Sequence, residues 1–400
     1  MKMRKYICLF FALMLFAVNT YAQKKEIITA EDRIKSGKDL EKSENELKKF
    51  LTDSANMSNK KLWFTLFNVV RKQYEQGNEK LYLKENYDTV KLFQKNLEMF
   101  DLAISLDSVD ALPNKKGKVK ISYRENNAEI LNHYRPNLFY GGLFYIRKQN
   151  YADGYKFMDA YLNCGNQPLF SKYNYLEKDP NMPTAAYWTV YCGYKMHDTE
   201  KTLHHASFAL KDSMHYKYML QYFAETYKAE GETTKYLETL TEGFKKYPSF
   251  PFFFPRLMQY YGEIGQNEKA LDIVNNALKN DSTNELFLFA KSTALLNLGR
   301  FEDCINICEN LLAHNDSIAD IYLNIGSAYF NRAVKLDKIT RLTKKQKNQV
   351  IKDYTMARKY MEKYRALAPE QKEKWAFPLY TIYLNLNLGK EFDEIDKIIR

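Results

Sequence analysis

Proline and glycine are scarce in this chain, with 10 and 15 copies in 400 residues. An all-β protein needs a turn roughly every 8–12 residues, and this supply does not provide for one. Cysteine is scarcer, with five copies. Cys8 lies in an N-terminal apolar run, and the other four are too few to staple a small-core scaffold. Cys304 and Cys308 stand one helical turn apart with parallel Cβ vectors, which suits a bridge poorly, so buried free thiols are expected there. For Cys164 and Cys192 the sequence leaves a bridge open. The familiar catalytic signatures are missing: there is no GxSxG, HExxH, Walker A or GxGxxG. Ser58-x-x-Lys61 has a Ser–Lys spacing, but in so lysine-rich a chain it carries no weight. His197, His204 and His205 lie close together, yet His197 falls in a turn, so they read as surface imidazoles. No metal and no cofactor are expected.

Long apolar runs are also missing, apart from Tyr6 to Val18. That run is shorter than the roughly 20 residues of a membrane span. Lys2, Arg4 and Lys5 precede it, and small Thr20 and Ala22 follow at a signal-peptidase spacing. Residues 1–22 are therefore expected to be an export signal cut between Ala22 and Gln23. Periplasm, cell envelope or secretion follows, with no transmembrane segment once the signal is gone.

What the chain does have is charge and aromatic area. The formal net charge is +11. Without the signal's three basic residues it is +8, and two short stretches account for it. Residues 114–124 carry Lys115, Lys116, Lys118, Lys120 and Arg124. Residues 335–352 carry seven basic side chains against Asp337. The remainder is slightly acidic. A basic balance usually raises nucleic acid as a partner; here the charge is local and export removes the chain from nucleic acid, so none is expected. A contact with an acidic partner or anionic surface through Lys344, Lys345 and Lys347 is the sharper expectation. Tyrosine is in excess, with 32 copies beside 25 phenylalanines.

Periodicity decides the fold. From Pro251, Phe254, Leu257 and Tyr261 share a helical face. Gly265 breaks it, and a second helix carries Ala270, Val274 and Ala277. Thirty-four residues earlier, Leu220, Phe223, Ala224 and Tyr227 repeat the first face, with Gly231, Leu240, Gly243 and Pro248 following. Tyr236 departs from the small residue expected at position 20. Thirty-four residues later come Leu288, Ser292 and Leu295, then Gly299, Cys304, Cys308 and Leu311, with Lys291 as a departure. The next step brings Tyr322, Ile325, Gly326 and Tyr329. This pattern resembles the tetratricopeptide repeat (TPR) family. The resemblance implies an all-α fold, a right-handed α-solenoid of antiparallel helix pairs stacked as a TPR-like superhelix.

The expected organisation is a signal over 1–22, an irregular helical region over 23–134 with the basic loop at 114–124, and a solenoid over 135–400. Its units lie near 135–168, 183–216, 217–250, 251–284, 285–318, 319–371 and 372–400. The basic insert at 335–352 reads as two lengthened helices.

In TPR proteins the first helix of each pair lines the concave face. Carried over position by position, the resemblance puts Phe139, Tyr187, Tyr191, Tyr194, Tyr218, Gln221, Phe252, Gln259 and Phe289 in a groove for a peptide or partner segment. The residues of a carboxylate clamp are absent, since position 5 reads Phe139, Tyr187, Gln221, Pro255, Phe289 and Leu323. Three readings follow: an exported scaffold for protein–protein interaction in the envelope, a glycan-binding module using the groove tyrosines, or an enzyme on the N-terminal part or the insert. The first is preferred, and no enzymatic activity is expected.

Overall fold

The computed structural model describes residues 23–114 and 116–400. The expected signal, with Ala22, lies outside these residues, as does Lys115. Gln23 is buried, and its side-chain oxygen accepts from Asn59 Nδ2 at 3.0 Å. Among the described residues there is no strand. No described helix is long and apolar enough to cross a membrane.

The chain divides into two compact units, Met1–Tyr236 and Leu237–Arg400. The sequence reading runs one solenoid over 135–400; the division falls at Tyr236, where the repeat replaces a small residue with a large one.

In the first unit, residues 23–36 form α1. Then follow α2 (Leu40–Leu51), α3 (Lys60–Tyr82), α4 (Thr89–Asp110), α5 (Arg124–Tyr134), α6 (Pro136–Arg147) and α7 (Tyr151–Asn163). After two 3₁₀ segments and the short α8 (Tyr175–Lys178) come α9 (Met182–Lys195), α10 (Thr199–His204), α11 (Ala206–Ala209) and α12 (Tyr216–Ala229). Local chemistry sets the starts. Asp88, Asn150 and Asp198 each accept backbone N–H groups of the helix they open, satisfying donors that have no partner inside it. Helix pairs α3–α4, α6–α7 and α9–α10 pack in succession, and α7 packs on α9. Their shared core contains Leu66, Phe67, Val70, Phe100, Leu138, Met158 and Val190, all fully buried or nearly so.

Helix α13 (Thr233–Lys246) leads into the second unit. There α14 (Phe253–Glu263), α15 (Asn267–Asn280), α16 (Glu285–Asn297), α17 (Phe301–His314), α18 (Ala319–Asp337), α19 (Lys344–Leu367), α20 (Lys372–Asn385) and α21 (Gly389–Ile399) pack each on the next. The repeat positions are the core. Phe254, Leu257, Ala270, Val274, Ala277, Leu295, Cys304, Cys308, Leu311, Ile325, Ala357, Met361 and Tyr364 are buried. Lys291, the departure at position 7, stays half-exposed. The insert adds turns to α18 and α19. A Thr343–Gln346 capping box starts α19. At the root of the hairpin, Arg332 grips the fully buried Asp353 through Nε at 3.0 Å and Nη2 at 2.8 Å.

In several pairs the turn has one backbone form. Position 15 takes positive φ at Gly265 (69°) and Gly299 (73°), where glycine carries no Cβ penalty. The same position holds Gln149 (59°) and His197 (54°) in the earlier repeats.

All four described cysteines are free and buried, including Cys164 and Cys192. Burial pushes both of those thiols up to about 12. A hydrogen bond with Cys308, together with burial, raises Cys304 as well.

Candidate functional site: an apolar groove between first helices

The groove residues of the first unit cluster, but mostly with one another. Tyr187 is buried, its ring stacked on His215 with centroids 4.1 Å apart. Tyr194 stacks on Tyr222 at 4.6 Å, and its hydroxyl bonds the Glu225 carboxylate. Tyr191 packs edge-on to Trp188 at 5.6 Å and to Tyr151 at 5.8 Å. Burial pushes the Tyr191 phenol up to about 12. These contacts join α9 to α7 and α12, so the tyrosine excess of residues 187–222 serves packing between repeats. Tyr187 is therefore not a groove residue: its ring is consumed by His215 and the core. Phe139, half-buried, meets Tyr161 edge-on at 5.7 Å. Tyr218 and Gln221 are half-exposed on α12.

In the second unit Phe252 is buried, with the Arg256 guanidinium 3.7 Å over its ring. It too is not a groove residue: its ring is covered by Arg256 of the helix that follows it. Gln259 and Phe289 behave otherwise. They face each other across an open cavity of about 360 Å³. One wall is α14, through Phe254, Pro255, Met258, Gln259, Gly262 and Glu263. The other is α16, through Leu286, Phe289, Ala290, Thr293, Ala294 and Asn297. Ala270 and Asn267 of α15 close the floor and one end. Met258 stands where the repeat prefers a small residue. Leu286 is 51 % exposed, a large apolar side chain held at the rim.

The polar groups sit at one end of this groove and are tied down. Gln259 Nε2 donates to Glu263 Oε1 at 2.8 Å, and Asn297 Nδ2 donates to Asn267 Oδ1 at 3.2 Å. A second cavity of about 270 Å³ lies on the far side of Leu286 and Phe289, lined by Glu285, Leu311, Ile318 and Ile321. Leu286 and Phe289 thus form an apolar ridge with a recess on each side. Leu286 (position 2), Pro255 (position 5) and Thr293 (position 9) stand at the same kind of repeat position as Phe289, so the repeat register also marks them as groove residues. Met258 was visible only as a departure.

Lys344, Lys345 and Lys347 lie exposed on the first turn of α19, at the tip of the long hairpin. The structure puts them far along the chain from the Phe289 groove, in a separate surface feature.

No protein-family model matches the chain, and no curated protein matches it. Solved structures similar to it include TPR proteins. The C-terminal part of a TPR repeat-containing protein from Cytophaga hutchinsonii is 13 % identical with a TM-score of 0.44, over 65 % of this chain and 93 % of that one. A TPR repeats protein from Bacteroides fragilis NCTC 9343 is 18 % identical with a TM-score of 0.32, over 66 % and 98 %. Yeast Tom70 is 12 % identical with a TM-score of 0.36, over 90 % and 88 %. These values concern the repeat architecture and carry nothing about function.

Proposed function

We propose that the chain is an exported, non-enzymatic scaffold that holds a segment of a protein partner in the α14–α16 groove. The observation that carries this reading is Leu286 and Phe289, kept accessible between two apolar recesses while neighbouring aromatics are packed away. A cavity of this size takes a few side chains of an extended or helical segment. Apolar walls supply burial, and the Glu263 end favours a Lys or Arg on the partner beside its apolar residues. The export signal over residues 1–22 gives the location, the cell envelope, and is tested by N-terminal sequencing of the mature chain. Gln23 as first residue supports it; Met1 retained counts against it.

The partner is tested by crosslinking in the native envelope and pull-down of the full chain. One stoichiometric protein is expected, lost in Leu286→Lys, whose exposed site leaves the fold intact. Saturable sugar binding with no protein recovered would overturn the reading in favour of a glycan ligand.

A further inference from the structure

The three histidines that cluster in the sequence do not form the cluster found in the structure. His197 is replaced by Asp159, which comes from the preceding repeat. Donor atoms of Asp159, His204 and His205 all lie within 4.8 Å of one another. We propose that these three side chains bind a divalent transition-metal ion of the zinc class, and that the ion ties α7 to the α10–α11 segment of the next repeat.

Neighbouring residues of an unbroken helix point about 100° apart at 3.6 residues per turn, so His204 and His205 would diverge. The helix is broken there. α10 ends at His204, α11 begins at Ala206, and His205 sits between them at φ −105° and ψ 21°. The break swings both rings toward α7, with centroids 4.4 Å apart and planes at 80°. His205 is buried and its Nε2 lies 2.7 Å from Asp159 Oδ1. The other carboxylate oxygen, Oδ2, accepts from Asn163 Nδ2 at 2.8 Å. Asn163 thereby fixes the carboxylate with Oδ1 turned to the imidazoles, the outer-shell support that metal ligands need.

The donor set selects the ion. Two imidazole nitrogens and one carboxylate oxygen suit zinc-like ions better than magnesium or calcium, which take oxygen donors. Zinc bonds of about 2.0–2.2 Å in tetrahedral geometry separate ligand atoms by about 3.5 Å. The His205–Asp159 pair opens by less than 1 Å to admit the ion, roughly, on that geometry. Three protein ligands leave a fourth position for water. A cavity of about 340 Å³ reaches Asp159 and Asn163 and provides the path of entry. Asp101 on its wall adds an acid group, and Lys156 there is paired with Asp153 at 3.2 Å. None of these residues takes part in the Phe289 groove.

The test uses the full chain stripped with a chelator and titrated with Zn²⁺ by calorimetry, and with Co²⁺ by visible absorption. One ion per chain, a rise in melting temperature on binding and the intense visible bands of four-coordinate Co²⁺ are expected. His204 is exposed, so His204→Ala leaves the metal-free melting temperature unchanged while weakening binding at least as much as the outer-shell variant. Asn163→Ala weakens it about 10–100-fold. Absence of a one-to-one complex, or a complex whose affinity His204→Ala and Asp159→Asn leave unchanged, overturns the site.

Discussion

Arg135 donates through Nη1 to the Asp179 carboxylate at 2.6 Å, with both side chains nearly buried. The same guanidinium lies 3.7 Å over the Tyr161 ring and 3.8 Å over the Tyr175 ring. Its Nη2 donates to the Tyr161 carbonyl at 3.0 Å. One planar cation thus pins the segment between α7 and α9 to the repeat before it. Arg135→Ala strands a buried carboxylate, and removal of one partner of such a pair costs about 3–5 kcal/mol. Arg135→Lys is not expected to rescue, because an ammonium cannot stack between two rings and donate in two directions. Chemical denaturation of the three proteins checks this; a Lys variant as stable as the parent refutes the stacking argument.

Position 15 offers a stabilising change in two repeats where it is not glycine. Gln149 and His197 are exposed and held at positive φ, where a Cβ costs roughly 1–2 kcal/mol. Glycine removes that penalty and gives back part of it as freedom of the unfolded chain. Gln149→Gly and His197→Gly should each stabilise by about 0.5–1 kcal/mol, the difference between these terms. Because the sites belong to different repeats, the double variant should add. Denaturant midpoints lower than the parent's would show that the side chains, and not the backbone, hold those turns.

The N-terminal helices carry an acid-sensitive clamp. Burial pushes the Glu44 carboxyl up, but Lys48, Lys95 and Gln73 outweigh it and hold it at about 2. Lys95 lies 2.6 Å from Glu44 Oε1, and Gln73 Nε2 donates to Oε2 at 2.6 Å. A depressed acid stabilises fully above its unfolded value of 4.5 and loses that contribution as pH falls toward 2. Stability of the parent should therefore drop across that window. Glu44→Gln should be less stable than the parent near neutrality and show a shallower drop between pH 4.5 and 2. Parallel stability–pH curves for the two proteins would refute the assignment.

The hairpin tip separates charge from folding. Lys344, Lys345 and Lys347 are exposed, so their joint change to Glu should alter stability by no more than about 0.5 kcal/mol per site. If the tip contacts an acidic surface, binding to anionic vesicles or to an acidic partner disappears in that variant. Binding that persists in the triple variant would assign the basic insert to solvation alone.

The helical pairs were legible because each repeat position has one packing role, and small residues at fixed intervals have few other uses. Ala270, Cys304 and Ala357 are buried where the period puts them. The groove was legible by position and not by chemistry. Tyr187 and Phe289 occupy the same position 5, yet His215 stacks on one ring, while the other stays partly exposed on the wall of a cavity. That difference depends on which residue the next repeat contributes, a contact the period does not encode. Arg135 was hidden for a similar reason: its partners Tyr161, Tyr175 and Asp179 are set by the irregular segment after α7. The Asp159–His205 pair escaped notice because it joins second helices of different repeats, 46 residues apart.

The four buried thiols divide evenly, Cys164 and Cys192 in the first unit, Cys304 and Cys308 in the second. Each is shielded in the folded chain and reacts only when its own helix pair opens. A thiol-specific reagent applied to the native protein therefore times the opening of each unit separately, with no label introduced. Where stability is set repeat by repeat, the chain carries its own clocks for which unit opens first.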